Sequence, residues 1–346
     1  MSQAQITRRQ FTKYATLAAT GLATVPILDA CAQSTPAGPK KFGSKVTFKM
    51  ATISQGDFPY NLGVKDWMAR LEKEAPGAFD FQFFPASQLG DEGTIEKGII
   101  AGSIHGGVAA GAWGGFVPAY STVELPFIIN DLPHMYKLAD GKFGEKLTSL
   151  AEAKGFKILA YYSTGTFQLE TRTKPVRNLS DFKAMKVRIV PNAATTAGVQ
   201  ALGAVPVPIA LNQVYTSLQQ GTVEGATNDV LTVSSQHFYE VEKYMTIMDI
   251  LCEPRPVITS KAFFDSLDKD HQDILLSTCK ASAIFERKNF EDQLKAGTDT
   301  LTKNGIQIVQ LEDRPKWVDA VRPVWRQFAN QDPDSAALIK LLEQSQ

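Results

Sequence analysis

Strand-like and helix-like segments alternate along most of this 346-residue sequence, and no other feature constrains its fold as strongly. Residues 45–50 alternate polar and apolar side chains, which is the period of a half-buried strand. The apolar side chains of residues 64–71 then recur at helical spacing, and Pro76 and Gly77 end that helix. Because strands that alternate with helices form parallel sheets through right-handed crossovers, the pattern predicts an α/β protein with ligand sites at the carboxyl ends of its strands.

The same patterns predict the remaining elements. The further predicted strands cover residues 79–84, 103–111, 156–162, 185–190, 205–207, 223–226, 244–250, 257–260 and 306–310. The further predicted helices cover residues 92–101, 134–154, 193–203, 212–220, 268–304, 314–330 and 334–344. The longest of these helices contains no proline, and at ~1.5 Å per residue it would be about 50 Å long, enough to cross a two-lobed molecule.

The balance of charge excludes two classes of partner. Lys and Arg together number 36, and so do Asp and Glu, which gives a net charge of zero. Without a basic excess, the chain carries no signature of a protein that binds nucleic acid or an anionic membrane surface. With 44% hydrophobic and 21% charged residues, the composition is that of a soluble globular protein, and the length suggests about two domains.

Residues 1–32 have the features of an export signal rather than of a folded domain. Arg8 and Arg9 precede an apolar stretch over residues 14–28, which is short for a membrane span and is interrupted by Pro26. The segment resembles a twin-arginine export signal, and a general secretory signal with an incidental arginine pair is the alternative.

Two processing sites compete at the end of this signal. Small residues around Cys31 favour cleavage after Ala32, whereas residues 28–31 resemble a lipoprotein box that would anchor the chain through a lipid at Cys31. Asp29 fits that box poorly, which favours soluble export. Removal of residues 1–32 takes three basic and one acidic residue from the 36 of each, so the mature chain has a net charge of −2.

Cys252 and Cys279 are the cysteines that remain after such processing. In an oxidising compartment they could form a disulfide, but two ordinary buried thiols are the favoured interpretation. No CxxC pair and no cysteine–histidine spacing in the sequence indicates a metal site. We therefore expect neither a metal nor another cofactor.

The sequence carries no catalytic signature. None of the four histidines lies in a metal-ligand motif such as HExxH, and there is neither a GxSxG elbow nor a GxxxxGK[ST] loop. The glycines between residues 102 and 115 lack the lysine and the spacing of a phosphate cradle, and they favour a tightly packed strand beside a pocket. His105, in the same segment, is expected as a hydrogen-bonded core residue. These absences favour a protein that is not an enzyme.

Arg188 and Asn228 are the polar residues that draw attention at the ends of predicted strands. Val187 and Ile189 lie on one face of their strand and Arg188 on the other, where a guanidinium could hold a carboxylate in a two-point fork. A solvated strand face is the alternative for Arg188, and residues 227–229 are also typical of a turn or a helix cap.

Short motifs spread over most of the sequence carry a resemblance to a known family. They are Ser87-Gln88-Leu89-Gly90, Leu125-Pro126-Phe127, Lys174-Pro175-Val176, Leu179-x-Asp181-Phe182, Lys186-Val187-Arg188-Ile189, Leu202-Gly203-Ala204, Val207-Pro208, Val214-Tyr215, Leu218-Gln219-x-Gly221, Val223-Glu224-Gly225-x-x-Asn228 and Phe238-Tyr239-Glu240-Val241. In this order they resemble the solute-binding proteins of tripartite ATP-independent periplasmic (TRAP) transporters.

The resemblance implies two α/β lobes, joined by crossing strands and spanned by a long helix, that close around a monocarboxylate. Lobe I is predicted to comprise residues 45–163 with about 254–293, and lobe II residues 164–253 with about 294–346. Residues 33–44, rich in Ser, Pro and Gly, are predicted to be a linker.

The resemblance also implies the ligand-binding residues. The family's carboxylate-binding arginine corresponds to Arg188, and its signature asparagine corresponds to Asn228. Positions that line the pocket in the family correspond to Glu92, Asn192 and Leu211.

Departures from sialate-binding members of the family change the expected ligand. Phe167 stands where those members have a second arginine, and Ala51 replaces an asparagine. Ala110 and Trp113 replace a glutamate and a further arginine. A site with one arginine and the aromatic walls of Trp113 and Phe167 suits a smaller or more apolar acid, aromatic or branched. The alternative is that both rings pack in the core between the lobes.

Together these expectations describe a monomeric periplasmic protein that captures an organic acid and delivers it to the membrane subunits of a TRAP permease. A ligand sensor that docks to a receptor, and an enzyme that uses the same cleft, are the alternatives.

Overall fold

The strands and helices of residues 42–345 follow the predicted alternation, and these are the residues that the structure, a computed structural model, describes. The predicted export signal, with Cys31, lies outside them. In chain order the strands are β1 Val46–Ala51, β2 Phe79–Phe84, β3 Gly106–Val108, β4 Phe156–Thr171, β5 Lys186–Ile189, β6 Val205–Pro208, β7 Gly225–Asp229, β8 Tyr244–Ile247, β9 Cys252–Ser260 and β10 Gln307–Gln310. The helices are α1 Pro59–Glu74, α2 Glu92–Ala101, α3 Leu132–Ala139, α4 Lys142–Glu152, α5 Leu179–Phe182, α6 Ala193–Ala201, α7 Leu211–Gln219, α8 Val230–Ser235, α9 Lys261–Ser266, α10 Lys269–Lys303, α11 Arg314–Ala329 and α12 Pro333–Gln344.

The described strands form a mixed sheet in the order β2-β1-β3-β9-β4-β7-β5-β6, and β8 pairs with both β4 and β10. Two groups of strands are parallel, β2-β1-β3 and β7-β5-β6. The antiparallel strands β9 and β4 lie between these groups. One parallel group lies in each predicted lobe, and the mixed sheet flanked by helices confirms the predicted α/β fold class.

Strand β4 belongs to both lobes. Its first part pairs with β9, and its last residues pair with β7 and β8. The register with β9 shifts between Ser163 and Thr166, where Gly165 adopts a positive φ of 78°. The predicted strand ends at residue 162, whereas the structure continues it through Ser163, Thr164 and Gly165, residues typical of a turn, to Thr171.

Helix α10 confirms the long helix that the sequence predicts. Its 35 residues follow Asp268, whose carboxylate accepts a hydrogen bond from the backbone N–H of His271 at 2.9 Å. The helix packs against α1, β4 and α8. Glu286 on its buried face accepts a hydrogen bond from the backbone N–H of Ser163 at 3.0 Å. One helix therefore contacts elements of both lobes.

Two predicted elements are interrupted at glycines. The strand expected over residues 103–111 is reduced to β3, because the chain then turns into a 3-10 helix at Gly111–Gly115. The helix expected over residues 134–154 is divided into α3 and α4, because Gly141 adopts an extended backbone before α4. In both cases the glycine lies within a pattern that otherwise looks continuous.

The strand β7 is displaced from its predicted position. The sequence places a strand at residues 223–226, whereas the structure places it at Gly225–Asp229. Asn228 therefore lies within a strand, beside β4, and not in a loop. Asp229 ends the strand and caps α8, because its side chain accepts hydrogen bonds from the backbone N–H groups of Leu231 and Thr232.

The two described cysteines lie in separate apolar clusters. Cys252 packs in the larger cluster, and Cys279 packs in the cluster beneath α10. Both are buried and free, in agreement with the two-thiol interpretation. In the part of the chain that the structure describes, no helix is both long and apolar enough to cross a membrane.

Candidate functional site

A cavity of about 230 Å³ lies at the carboxyl ends of β1, β5 and β6, where the α/β pattern predicts a ligand site. Its walls come from both predicted lobes. The lining residues are Ile53, Ser54, Tyr60, Ser87, Asp91, Glu92, Gly93, Ala112, Thr164, Phe167, Arg188, Val190, Pro191, Ala210, Leu211, Asn212, Asn228, Thr232 and Arg255.

Arg188, on β5, lines this cavity although only 2% of its surface is exposed. Its Nε donates a hydrogen bond to the carbonyl oxygen of Ile209 at 2.9 Å. Its Nη1 donates to the carbonyl oxygen of Thr227 at 3.3 Å and to Oδ1 of Asn228 at 2.9 Å. All three acceptors are neutral oxygens, and no carboxylate of the described residues is hydrogen-bonded to this guanidinium. The structure therefore does not show the solvated strand face that the sequence alone leaves open as the alternative for Arg188.

Arg188 keeps its positive charge in this setting. Burial lowers its pKa to about 10, and the Glu170 and Glu92 carboxyl groups oppose that shift. Burial, and then the charge of Glu242, raise the pKa of Glu170 well above its usual range, and neither oxygen of its carboxyl group has a hydrogen-bond partner among the described residues. The amide Nδ2 of Asn228 stands near the Glu170 carboxyl group without meeting hydrogen-bonding geometry. Arg188 is thus a buried cation whose hydrogen bonds all go to neutral oxygens, so none of these neighbours forms an ion pair with it.

Glu92 is one of two acidic residues of the cavity wall, with Asp91. It is the first residue of α2, after Asp91, whose side chain caps the helix by accepting a hydrogen bond from the Thr94 N–H at 2.9 Å. Burial raises the pKa of Glu92 to about 7, while the charge of Arg255 acts in the opposite direction. Glu92 therefore exchanges a proton near neutral pH.

A second arginine, Arg255 on β9, lines the same cavity. Its Nη2 forms an ion pair with Glu253, and its Cζ lies 5.8 Å from the centroid of the Phe167 ring. Burial tends to lower the pKa of Arg255, but the carboxylate of Glu253 and the nearby Tyr60 and Tyr120 raise it above its usual value. Two guanidinium groups therefore border one cavity, where the sequence predicts a single arginine.

The sequence carries a faint signal for Arg255. Glu253 and Arg255 are two residues apart on a strand, so their side chains lie on one face. Such a charged pair within a strand whose residues are all buried is unusual unless the pair is buried together.

Glu253 belongs to a buried acidic pair with Glu124. Burial, and then the charge of Glu253, raise the pKa of Glu124 well above its usual range, while Glu253 forms the ion pair with Arg255. The hydroxyl of Thr195 donates to Oε2 of Glu124 at 3.2 Å, and the hydroxyl of Tyr120 lies 3.3 Å from Oε2 of Glu253. This network holds the carboxylate that balances Arg255.

Most of the residues predicted for the site lie together. Arg188, Asn228, Glu92, Phe167 and Leu211 all line the cavity. They come from β5, β7, α2, β4 and α7, elements that are distant in sequence and adjacent in the fold.

Two of the predicted residues do not line this cavity. Trp113 is fully buried in the larger apolar cluster, where its ring packs edge-on against Tyr120 and Phe156 at centroid distances of 5.1 and 5.5 Å. Asn192 caps α6, and its Nδ2 donates to the carbonyl oxygen of Gly111 at 3.0 Å. Trp113 thus occupies the core, as in the alternative interpretation, and Asn192 has a structural partner instead of a free amide.

Within residues 42–345, no group of three or more His, Cys, Asp or Glu side chains is placed to hold a metal ion. His105 has the surroundings expected of a core residue, since its Nδ1 accepts a hydrogen bond from the backbone N–H of Lys49 at 2.9 Å and its ring stacks on Phe263. The chemistry that the cavity offers is therefore that of two cationic donors, Arg188 and Arg255, two carboxyl groups, Asp91 and Glu92, and neutral polar groups.

Comparison with known proteins places this chain. The family model described as bacterial extracellular solute-binding protein, family 7, matches residues 50–332. The chain is 27% identical over 288 residues, 83% of this chain and 88% of the relative, to the 2,3-diketo-L-gulonate-binding periplasmic protein of Escherichia coli K12.

Two solved structures are similar over nearly their whole length. A TRAP periplasmic solute-binding protein from Sulfitobacter sp. NAS-14.1 with bound β-D-galacturonate has a TM-score of 0.83 and 28% identity, and the match covers 86% of this chain and 99% of that one. Its counterpart from Polaromonas sp. JS666, bound to D-erythronate, has a TM-score of 0.82 and 27% identity, with 86% and 98% covered. The chain belongs to the bacterial extracellular solute-binding proteins of family 7, the solute-binding components of TRAP transporters.

Proposed function

We propose that this chain captures an organic acid in the cavity, with Arg188 and Asn228 as its carboxylate-binding pair, and delivers it to a TRAP membrane permease. The relatives support the ligand class, since they are named for, or were solved with, 2,3-diketo-L-gulonate, galacturonate and erythronate. All three compounds carry a carboxylate.

The observation that carries the proposal is the bonding of Arg188. A buried charge without a partner costs several kcal/mol, so a protein rarely keeps one unless a ligand supplies the counter-charge. The bonds from Nε and Nη1 to neutral oxygens fix the plane of the guanidinium. None of them uses Nη2, whose two N–H groups remain to donate to a ligand carboxylate. Asn228 adds an amide beside it.

The position of the cavity supports a mechanism of closure. Its walls include Glu92 and Tyr60 from predicted lobe I, and Arg188, Asn228 and Leu211 from predicted lobe II. A ligand that bonds to both walls binds the closed arrangement more tightly than the open one, and therefore shifts the protein towards closure. We expect ligand to reduce the radius of gyration in small-angle X-ray scattering.

Arg188→Ala tests the site directly. We expect calorimetry to show that mature wild-type protein binds D-erythronate or D-galacturonate, and that the variant binds neither. Arg177→Ala, which removes an exposed arginine outside the cavity lining, is the matched control and should bind like the wild type. Unchanged affinity in Arg188→Ala, with both variants folded by circular dichroism, would refute the proposal.

The remaining parts of the proposal concern the fate of the ligand and of the chain. We infer that the protein binds its ligand without changing it chemically, because the family and the named relatives are binding proteins. NMR of the ligand after long incubation should show it intact.

The Escherichia coli relative is a periplasmic protein, which supports a periplasmic location for this chain. Export through Arg8 and Arg9 is tested by Lys substitutions at both, which should retain the protein in the cytoplasm. Light scattering should show a monomer.

A further inference from the structure

The strongest unassigned feature of the cavity is the bonding of Arg255. The side chain is 5% exposed and lines the cavity. Glu253 engages Nη2, whereas Nε and Nη1 are buried and have no hydrogen-bond partner among the described residues. A guanidinium has five N–H donors, and leaving buried donors of a charged group unpaired is costly.

The position of this guanidinium is fixed by its surroundings. The Phe167 ring lies 5.8 Å from Cζ, within the range of a cation–π contact. The backbone on either side is held in the sheet, where Arg255 is paired with Tyr162 of β4. A donor group that is held in this way is already oriented for an acceptor, and little conformational entropy is lost when one arrives.

The charges around the cavity indicate which kind of acceptor would fit. Glu253 already balances Arg255, whereas Arg188 has no bonded carboxylate. Asp91 adds a further carboxyl group to the cavity wall, so the ligand that suits these charges carries one carboxylate, bound at Arg188. A second carboxylate at Arg255 would face Glu253 and add an unbalanced negative charge to a buried site.

We propose that Arg255 is the second ligand anchor of this cavity, and that it donates to a neutral oxygen, a hydroxyl or a carbonyl group, of a monocarboxylate held by Arg188. This inference rests on the proposed function. It assigns the ligand to the hydroxy and oxo acids, and it departs from the apolar acid that the sequence predicts, because that prediction relied on a single arginine and on Trp113 as a wall.

The test compares two acids with the same carbon chain, D-erythronate and butyrate, which differ in three hydroxyl groups. In mature wild-type protein we expect D-erythronate to bind at least about tenfold more tightly, the factor of one hydrogen bond to a charged group. Arg255→Met should reduce this ratio about tenfold and leave butyrate binding nearly unchanged. A purely structural arginine would weaken both acids equally and leave the ratio as it was.

A second variant separates the loss of the ligand contact from a failure of Arg255→Met to fold. Arg255→Met alone leaves the Glu253 carboxylate buried without its partner, whereas Glu253→Gln with Arg255→Met removes both charges. The double variant should show the same loss of ratio. A preserved ratio in either folded variant, equal loss of both acids, or tighter wild-type binding of succinate than of D-erythronate would overturn the inference while the proposed function stands. Failure of the wild type to bind any of these acids would overturn both.

Discussion

Arg188 donates a hydrogen bond from Nη1 to Oδ1 of Asn228 at 2.9 Å, although the two residues are 40 positions apart in the sequence. The bond is possible because β5 and β7 are parallel neighbours that pair Arg188 with Ala226, two residues before Asn228. The asparagine therefore does more than offer an amide to the ligand. It holds the guanidinium by an oxygen that carries no charge, so the cation stays available.

Substitution of Asn228 by two different residues separates these roles. Asn228→Ala removes the bond to Nη1, and we expect affinity for D-erythronate to fall about tenfold, the value of one hydrogen bond to a charged group. Asn228→Asp keeps the shape but places a carboxylate against Arg188. That carboxylate would compete with the ligand, so we expect a loss of at least about 100-fold. Calorimetry on both variants checks the order, and tighter binding by Asn228→Asp than by Asn228→Ala would contradict it.

The raised pKa of Glu92 predicts a pH dependence of stability. An exposed glutamate titrates near pH 4.5, whereas burial raises the pKa of Glu92 to about 7. The contribution of this shift to stability is complete below about pH 4.5 and is lost as the pH rises through about 7. Glu92→Gln cannot ionise, so we expect its free energy of unfolding to increase relative to the wild type between pH 5 and pH 8. Urea titrations along this range measure the difference, and a constant difference would refute the assignment.

The same group predicts how binding depends on pH. A ligand carboxylate beside Arg188 disfavours the charged form of Glu92, so binding should be accompanied by proton uptake near pH 7. We expect the affinity of the wild type for D-erythronate to fall between pH 6 and pH 8, and that of Glu92→Gln to fall less. Calorimetry in buffers of different ionisation enthalpy counts the protons directly. Equal pH profiles for the two proteins would exclude Glu92 as their source.

Neighbouring glycines of the 3-10 helix Gly111–Gly115 offer a matched test of packing. A Cβ on Gly114 would collide with Oγ of Ser121 and would lie 2.7 Å from Nδ2 of Asn192, whereas a Cβ on Gly115 would meet no atom within 4 Å. We expect Gly114→Ala to lower the free energy of unfolding by about 1–3 kcal/mol and Gly115→Ala to change it by less than about 0.5 kcal/mol. Urea denaturation of both variants decides the comparison, and similar values would contradict this packing.

The two thiols should be unreactive in the folded mature protein. Cys252 and Cys279 are buried in different clusters, and burial raises the pKa of both. Because the thiolate is the reactive form, we expect no labelling by a thiol reagent in buffer and labelling of both residues in urea. Dithiothreitol should not change the melting temperature. Protection of the thiols in urea without reductant would instead indicate a disulfide.

The sequence predicts the fold best where local signals are complete. The helix α10 begins after a capping Asp268 and ends at Asn304, and no proline interrupts it, so its bounds can be predicted to within one residue. The second half of β4 cannot be predicted in this way. Ser163, Thr164 and Gly165 resemble a turn, although the strand continues through them and residues 166–170 alternate polar and apolar side chains.

The residues of the site also differ in how well the sequence alone identifies them. Arg188 and Asn228 are identified because they lie within a dense run of family motifs, whereas Arg255 lies between Pro254 and Pro256 with no such context. Trp113 is the opposite case, because the sequence assigns it to the cavity wall and the structure places it in the core. A tryptophan that follows a glycine-rich strand beside a pocket is compatible with either wall or core, and only the packing against Tyr120 and Phe156 decides between them.

The sharing of β4 by both lobes has a mechanical consequence. A protein whose halves are joined by a loose linker can swivel freely, but here the backbone that joins them is hydrogen-bonded along nearly all of its length. Relative movement of the halves must therefore be taken up as elastic flexing at the register shift around Gly165, against which the Phe290 ring of α10 rests. The proposed closure would thus depend on how far these paired strands can bend at that point.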